Sequence, residues 1–97
     1  MTEKETISWI FLATALASQK EPTETNSISM IADGINHSVP TEKELRTSLS
    51  WLINEGLILK KGRKYKLSEK GMKIYEEASK HTTHLLKIWE NLNVSLS

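Results

Sequence analysis

The sequence contains no cysteine, which excludes a disulfide framework and any thiolate-ligated metal centre and fits a reducing compartment. Long hydrophobic runs are missing too. The most apolar stretch, Trp9–Ala13, falls far short of the roughly 20 residues that cross a bilayer. The opening Met1-Thr2-Glu3-Lys4-Glu5 lacks the basic region of a secretory signal, so the expectation is a cytoplasmic protein with no membrane partner. There is no Gly-rich phosphate loop, nucleophile elbow, paired-carboxylate motif or zinc-ligand spacing. An enzyme is therefore not expected, and neither is a cofactor, a metal or a small-molecule ligand. Internal repeats and low-complexity segments are absent as well.

What is present is a 97-residue chain, 38% hydrophobic, which suffices for one domain around a single small core. The formal charge is only +1, yet it is unevenly placed. Between Gly56 and Tyr75 stand Lys60, Lys61, Arg63, Lys64, Lys66, Lys70 and Lys73 against Glu69 alone, so the remainder is net acidic. A basic block on a near-neutral chain is an electrostatic footprint for a polyanion. The plainer reading is a solvated hairpin whose lysines guard an exposed edge against aggregation.

The most informative stretch is Pro40–Leu67, PTEKELRTSLSWLINEGLILKKGRKYKL. Thr41 and Glu44 have capping-box spacing, and Pro40 stands where a helix cannot yet have begun. Leu45, Leu49, Leu52 and Ile53 repeat at helical spacing as one buried stripe over a helix of about 41–55. Gly56 follows, suited to the left-handed stop. Leu57-Ile58-Leu59 and Tyr65-Lys66-Leu67 then read as two strands joined by a basic turn.

Upstream, Thr6 is the expected cap of a first helix from Ile7 to Ala17, apolar on nearly every side and hence central. Gln19–Asn26 reads as a loop. Ser27 is the expected cap of a second helix carrying Ile28, Ile31, Ala32 and Ile35, with Thr25–Ser27 a weak candidate for a short strand. Asn36 is the expected positive-φ residue of the following turn. Downstream, Ser68 is expected to cap a helix running from Glu69 to about Leu92. Ile74, Ala78, His81, Leu85, Ile88, Trp89 and Leu92 form a heptad-like seam along it, read as a homodimer interface. The competing reading folds that seam back onto helix one of the same chain. Thr82-Thr83, both β-branched, are the candidate site of a bend.

The fold class that emerges is mainly α with a small β-hairpin: a winged helix-turn-helix with a three-helix core at about 6–78, a two-stranded wing and a C-terminal helix. The outward face of the third helix carries Lys43, Arg46, Thr47, Ser50, Trp51 and Asn54, and Lys43, Arg46, Thr47 and Ser50 are the candidate DNA readers. Lys60, Lys61, Arg63 and Lys64 at the wing are candidate phosphate contacts. Glu42 and Glu44 in the same helix's first turn repel phosphate, and Trp51 is expected to pack under the wing or against a partner. His81 and His84 stand one turn apart near Glu77, but a packing seam explains them better than a metal site.

Leu49-x-x-Leu52-x-x-x-Gly56-Leu57-Ile58 and Tyr65-x-Leu67-Ser68-x-x-Gly71 resemble winged-helix proteins of the broad MarR-like and PadR-like type. Ile31-Ala32-Asp33-Gly34-Ile35-Asn36-His37 with Pro40-Thr41-x-x-Glu44-Leu45 resembles a group of short stand-alone bacterial winged-helix proteins. The resemblance covers about residues 7 to 78 and implies a recognition helix at 41–55 and a wing at 57–67. The functional expectation is a dimeric protein that binds double-stranded DNA and regulates transcription. The alternative is a protein-interaction module without DNA binding, because one fold supports both.

Overall fold

From Ile7 to Ala15 every residue of the first helix is buried, and the rest of the chain is laid around that segment. The structure is a computed structural model, and it describes residues 1–96. Helix α1 spans Glu3–Ala17. Ser8 and Thr14 tolerate full burial because each hydroxyl bonds back into the helix, Ser8 Oγ to Lys4 O and Thr14 Oγ1 to Ile10 O, both at 2.8 Å. Thr2, rather than Thr6, caps α1. Its hydroxyl accepts from Glu5 N at 3.1 Å, and Glu5 Oε1 accepts from Thr2 N at 2.8 Å. Thr6 instead donates its hydroxyl to Thr2 O at 3.0 Å, one turn inside the helix.

The cover for α1 comes from its own chain. Helices α2 (Thr25–Asn36) and α3 (Glu42–Asn54) pack on it through Ile28, Ala32 and Ile35 and through Leu45, Leu49 and Leu52. Ser48 joins the buried stripe of α3, whereas Ile53 is only half-buried. Trp9 Nε1 donates to Ala32 O at 2.9 Å within the core, so the bulky indole is buried with its polar atom satisfied.

Helix α2 starts two residues before the expected Ser27 cap, with Glu24 at the N-cap and no side-chain cap bond. Thr25–Ser27 is therefore helical. The β pairing lies just upstream, where Thr23 and Tyr65 exchange two backbone hydrogen bonds of 2.8 Å. The positive-φ residue of the α2–α3 turn is His37 (φ 54°, ψ 36°) rather than Asn36, which is still the last helical residue.

Thr41 and Glu44 do form a capping box at the start of α3, with bonds of 3.0 and 2.9 Å. Gly56 takes φ 73° directly after the helix. Strands β1 (Ile58–Lys61) and β2 (Lys64–Leu67) pair antiparallel from Ile58↔Leu67 to Lys61↔Lys64. Gly62 at φ 63° opens the two-residue turn, the position where a hairpin turn matched to strand twist requires glycine.

Ser68 joins hairpin and helix α4 (Glu69–Ser79) by accepting from Gly71 N at 3.0 Å and donating to Gly56 O at 2.6 Å. Gly71 lies so close to the Leu57 carbonyl that a Cβ there would overlap it. The helix expected to continue to Leu92 stops at Ser79, and residues 80–84 form a break before helix α5 (Leu85–Ser95). The two β-branched threonines fall inside that break, where Thr82 Oγ1 accepts from His84 N at 3.1 Å. Asn91 Nδ2 then donates to Ala78 O at 2.9 Å and secures the last turn of α4.

Helix α5 returns to α1. Of the seam residues, Ala78, Ile88 and Leu92 are buried within the chain, Ile74 and Trp89 are half-buried against the core, and His81 and Leu85 are exposed. Folding back becomes possible because the break reverses α5. Five helices and one two-stranded antiparallel hairpin make up the described residues, and no helix is long and apolar enough to cross a membrane.

Candidate nucleic-acid interface

With Leu45, Ser48, Leu49 and Leu52 turned into the core, helical geometry sends Lys43, Arg46, Thr47 and Ser50 to solvent, and all four are exposed. The structure divides them between two flanks. Arg46 and Ser50 line a groove of about 280 Å³ facing the hairpin, shared with Glu42, Lys60 and Tyr65. Lys43 and Thr47 line a second groove of about 500 Å³ facing the start of α1, shared with Glu44 and Thr6. Trp51 leaves the outward set. It is half-buried against the core and lines a cleft with Ile7 and Leu96, away from the groove that faces the hairpin.

Strand alternation sorts the hairpin cations. Lys60 stands opposite Tyr65 on the face that also carries Ile58 and Leu67, and its Nζ lies 5.8 Å from the Tyr65 ring centroid. That contact holds Lys60 at the edge of the groove beside α3. Lys61 and Lys64 pair across the outer face with Leu59 and Lys66, and Arg63 sits in the turn. Lys60, Lys61, Arg63 and Lys64 are all exposed.

Among the described residues the only ion pairs are Arg46–Glu42 at 4.0 Å and Lys87–Glu90 at 3.4 Å. No carboxylate therefore neutralises the hairpin. Like charges directly opposite each other, as at Lys61 and Lys64, destabilise a strand pair, so the arrangement does not serve the hairpin's own stability. The edge-guarding explanation needs a charge here and there. It does not need four unpaired cations at one tip.

The two acidic residues in the first turn of α3 have different fates. Glu44 is held by the capping box and faces the α1 side. Glu42 remains on the hairpin side, loosely opposed to Arg46. Sequence periodicity alone does not separate them, although the capping-box spacing already commits Glu44. Tyr65, expected from sequence to turn into the core with its hydroxyl in water, is half-buried against the core and also lines this groove opposite Lys60.

Among the described residues no three His, Cys, Asp or Glu side chains cluster as metal ligands. His37, His81 and His84 are all exposed. Comparison of the chain with protein-family models, with curated proteins and with solved structures found no match.

Proposed function

We propose that the chain is a winged helix-turn-helix protein that binds double-stranded DNA and acts in transcriptional regulation in the cytoplasm. Helix α3 enters the major groove, and the β1–β2 hairpin lies against the phosphate backbone as the wing. The order of three helices, hairpin and helix supports the fold reading, as does the Thr23–Tyr65 bridge, which pairs the segment just before α2 with the second hairpin strand. The observation that carries the DNA reading is the convergence of Arg46 and Ser50 with the unneutralised hairpin cation Lys60 on one groove. Small polar and cationic groups on a helix reach base edges, while cations at a neighbouring tip hold phosphates.

Fluorescence anisotropy with a labelled random-sequence duplex tests the proposal. Binding is expected at low salt, with a dissociation constant of roughly 1–100 µM at physiological salt. A folded sample that binds no duplex at low salt contradicts it.

A second reading, a protein-interaction module without DNA binding, is favoured by α5, which also carries the proposed homodimer contact of the DNA-binding reading. Leu86 and Val94 on that helix are 63% and 73% exposed. Sedimentation across a concentration series tests it, because a dimer shifts with dilution and a monomer does not.

A further inference from the structure

Glu42 is the one carboxylate left facing the groove between helix and hairpin, and it sits among cations that a polyanion would need. Resting on the DNA reading above, we infer that Glu42 is a specificity-determining residue that accepts a hydrogen bond from the cytosine N4 amino group in the major groove. Arg46, one turn further along α3, donates to guanine O6 and N7 beside it.

The side chain is free for that role. Glu42 and Arg46 approach only to 4.0 Å and form no hydrogen bond, and their side chains are 90% and 72% exposed. An ion pair so open to water holds neither group in place. Glu44, by contrast, is committed to the helix cap.

The chemistry of the groove then selects the base. A carboxylate is an acceptor only and repels phosphate, so it gains from duplex DNA only at an exocyclic amino donor. Adenine presents its N6 donor beside the N7 acceptor, which opposes a carboxylate. Cytosine presents the N4 donor with no acceptor of its own next to it. Side chains four residues apart lie about 5–6 Å apart at Cβ, so Glu42 and Arg46 can address adjacent base pairs. A sequence without cytosine at that position leaves the Glu42 charge desolvated and unpaired, which is discrimination by penalty as well as by attraction.

The test is selection from a duplex pool with randomised central positions at fixed salt, using wild type, Glu42→Gln and Glu42→Ala, with helix content checked by circular dichroism. The Thr41–Glu44 box is intact in both variants, and position 42 is exposed, so both are expected to fold. Wild type should enrich C·G over A·T at one position by about ten-fold, the worth of one good base contact. Glu42→Gln should move that preference to adenine, which matches the donor and acceptor of an amide. Glu42→Ala should lose the preference and bind random duplex more tightly. If both variants keep the wild-type preference, the carboxylate is merely repulsive and the inference is overturned while DNA binding stands. If wild type binds no duplex, the DNA reading fails and this inference with it.

Discussion

Trp89 donates its indole N–H to the carbonyl of Glu5 at 2.9 Å, tying α5 to the first turn of α1 across 84 residues of sequence. The same ring lies 6.2 Å from that of Trp9, inclined by 31°, and Trp9 in turn bonds to Ala32. Two tryptophans thus link α5, α1 and α2 in series. An apolar seam that reads as an interface is in large part internal packing.

Trp89→Phe keeps an aromatic ring against Trp9 and removes the donor together with part of the ring volume. It should cost about 1 kcal/mol, or a melting temperature lower by about 5 °C. Trp89→Ala should cost about 3 kcal/mol, the lower end for a large aromatic because the residue is half-buried. Urea denaturation of both variants checks this. Because the contact is intramolecular, neither loss should vary with protein concentration.

Gly71→Ala should be the most disruptive single methyl addition in the chain. The new Cβ falls on the Leu57 carbonyl, whose oxygen also accepts from Ser68 N at 3.0 Å. Backbone cannot swing aside as a side-chain tip can, so α4 must shift. The expected destabilisation is about 1–3 kcal/mol or more by chemical denaturation. Gly34→Ala, where a Cβ meets nothing within 4 Å, is the matched control and should be neutral or stabilising.

The Glu5 carboxyl is held below the ordinary glutamate range, first by the Thr2 backbone N–H and then by the Thr2 hydroxyl. A carboxyl whose folded pKa is depressed contributes stability at pH above its unfolded pKa. That contribution is lost as pH falls through the folded pKa. The first turn of α1 should therefore loosen only in acid, at pH below the ordinary glutamate range. Carbon NMR of the Glu5 carboxyl checks this, and Thr2→Ala should move its titration upward.

Features set by neighbours in sequence were legible: the Thr41–Glu44 box, Gly56 at positive φ, Ser68 as a cap, and two short strands around the basic turn. Each depends on a few adjacent residues. The misses depend on choices between near-equal local options. Thr2-x-x-Glu5 has the same box spacing as Thr41-x-x-Glu44, but Thr6 stands directly beside the first apolar residue and competes with it as a start. Asn36 and His37 both tolerate the left-handed turn, and His37 takes it. The heptad-like seam runs unbroken through residues 80–84, so periodicity favoured one helix, while the gain from folding Leu92 and Trp89 onto α1 comes only with the break.

The candidate site was legible to a similar depth. Exposure of Lys43, Arg46, Thr47 and Ser50 follows from the buried stripe by simple rotation about the helix. Their division between two grooves does not, because it depends on where α1 and the hairpin sit. Trp51 shows the same limit, since the cleft it lines is shared with Ile7 and Leu96 from opposite ends of the chain.

The salt dependence of duplex binding tests the central claim most directly. Each phosphate neutralised adds about 0.9 to the slope of log affinity against log salt. Replacing Lys60, Lys61, Arg63 and Lys64 together by alanine removes four exposed cations without touching the core. Steep salt dependence is expected in the wild type and a slope shallower by about 3–4 in the variant, with the fold unchanged. Equal slopes for the two proteins would contradict a DNA-binding role for the hairpin.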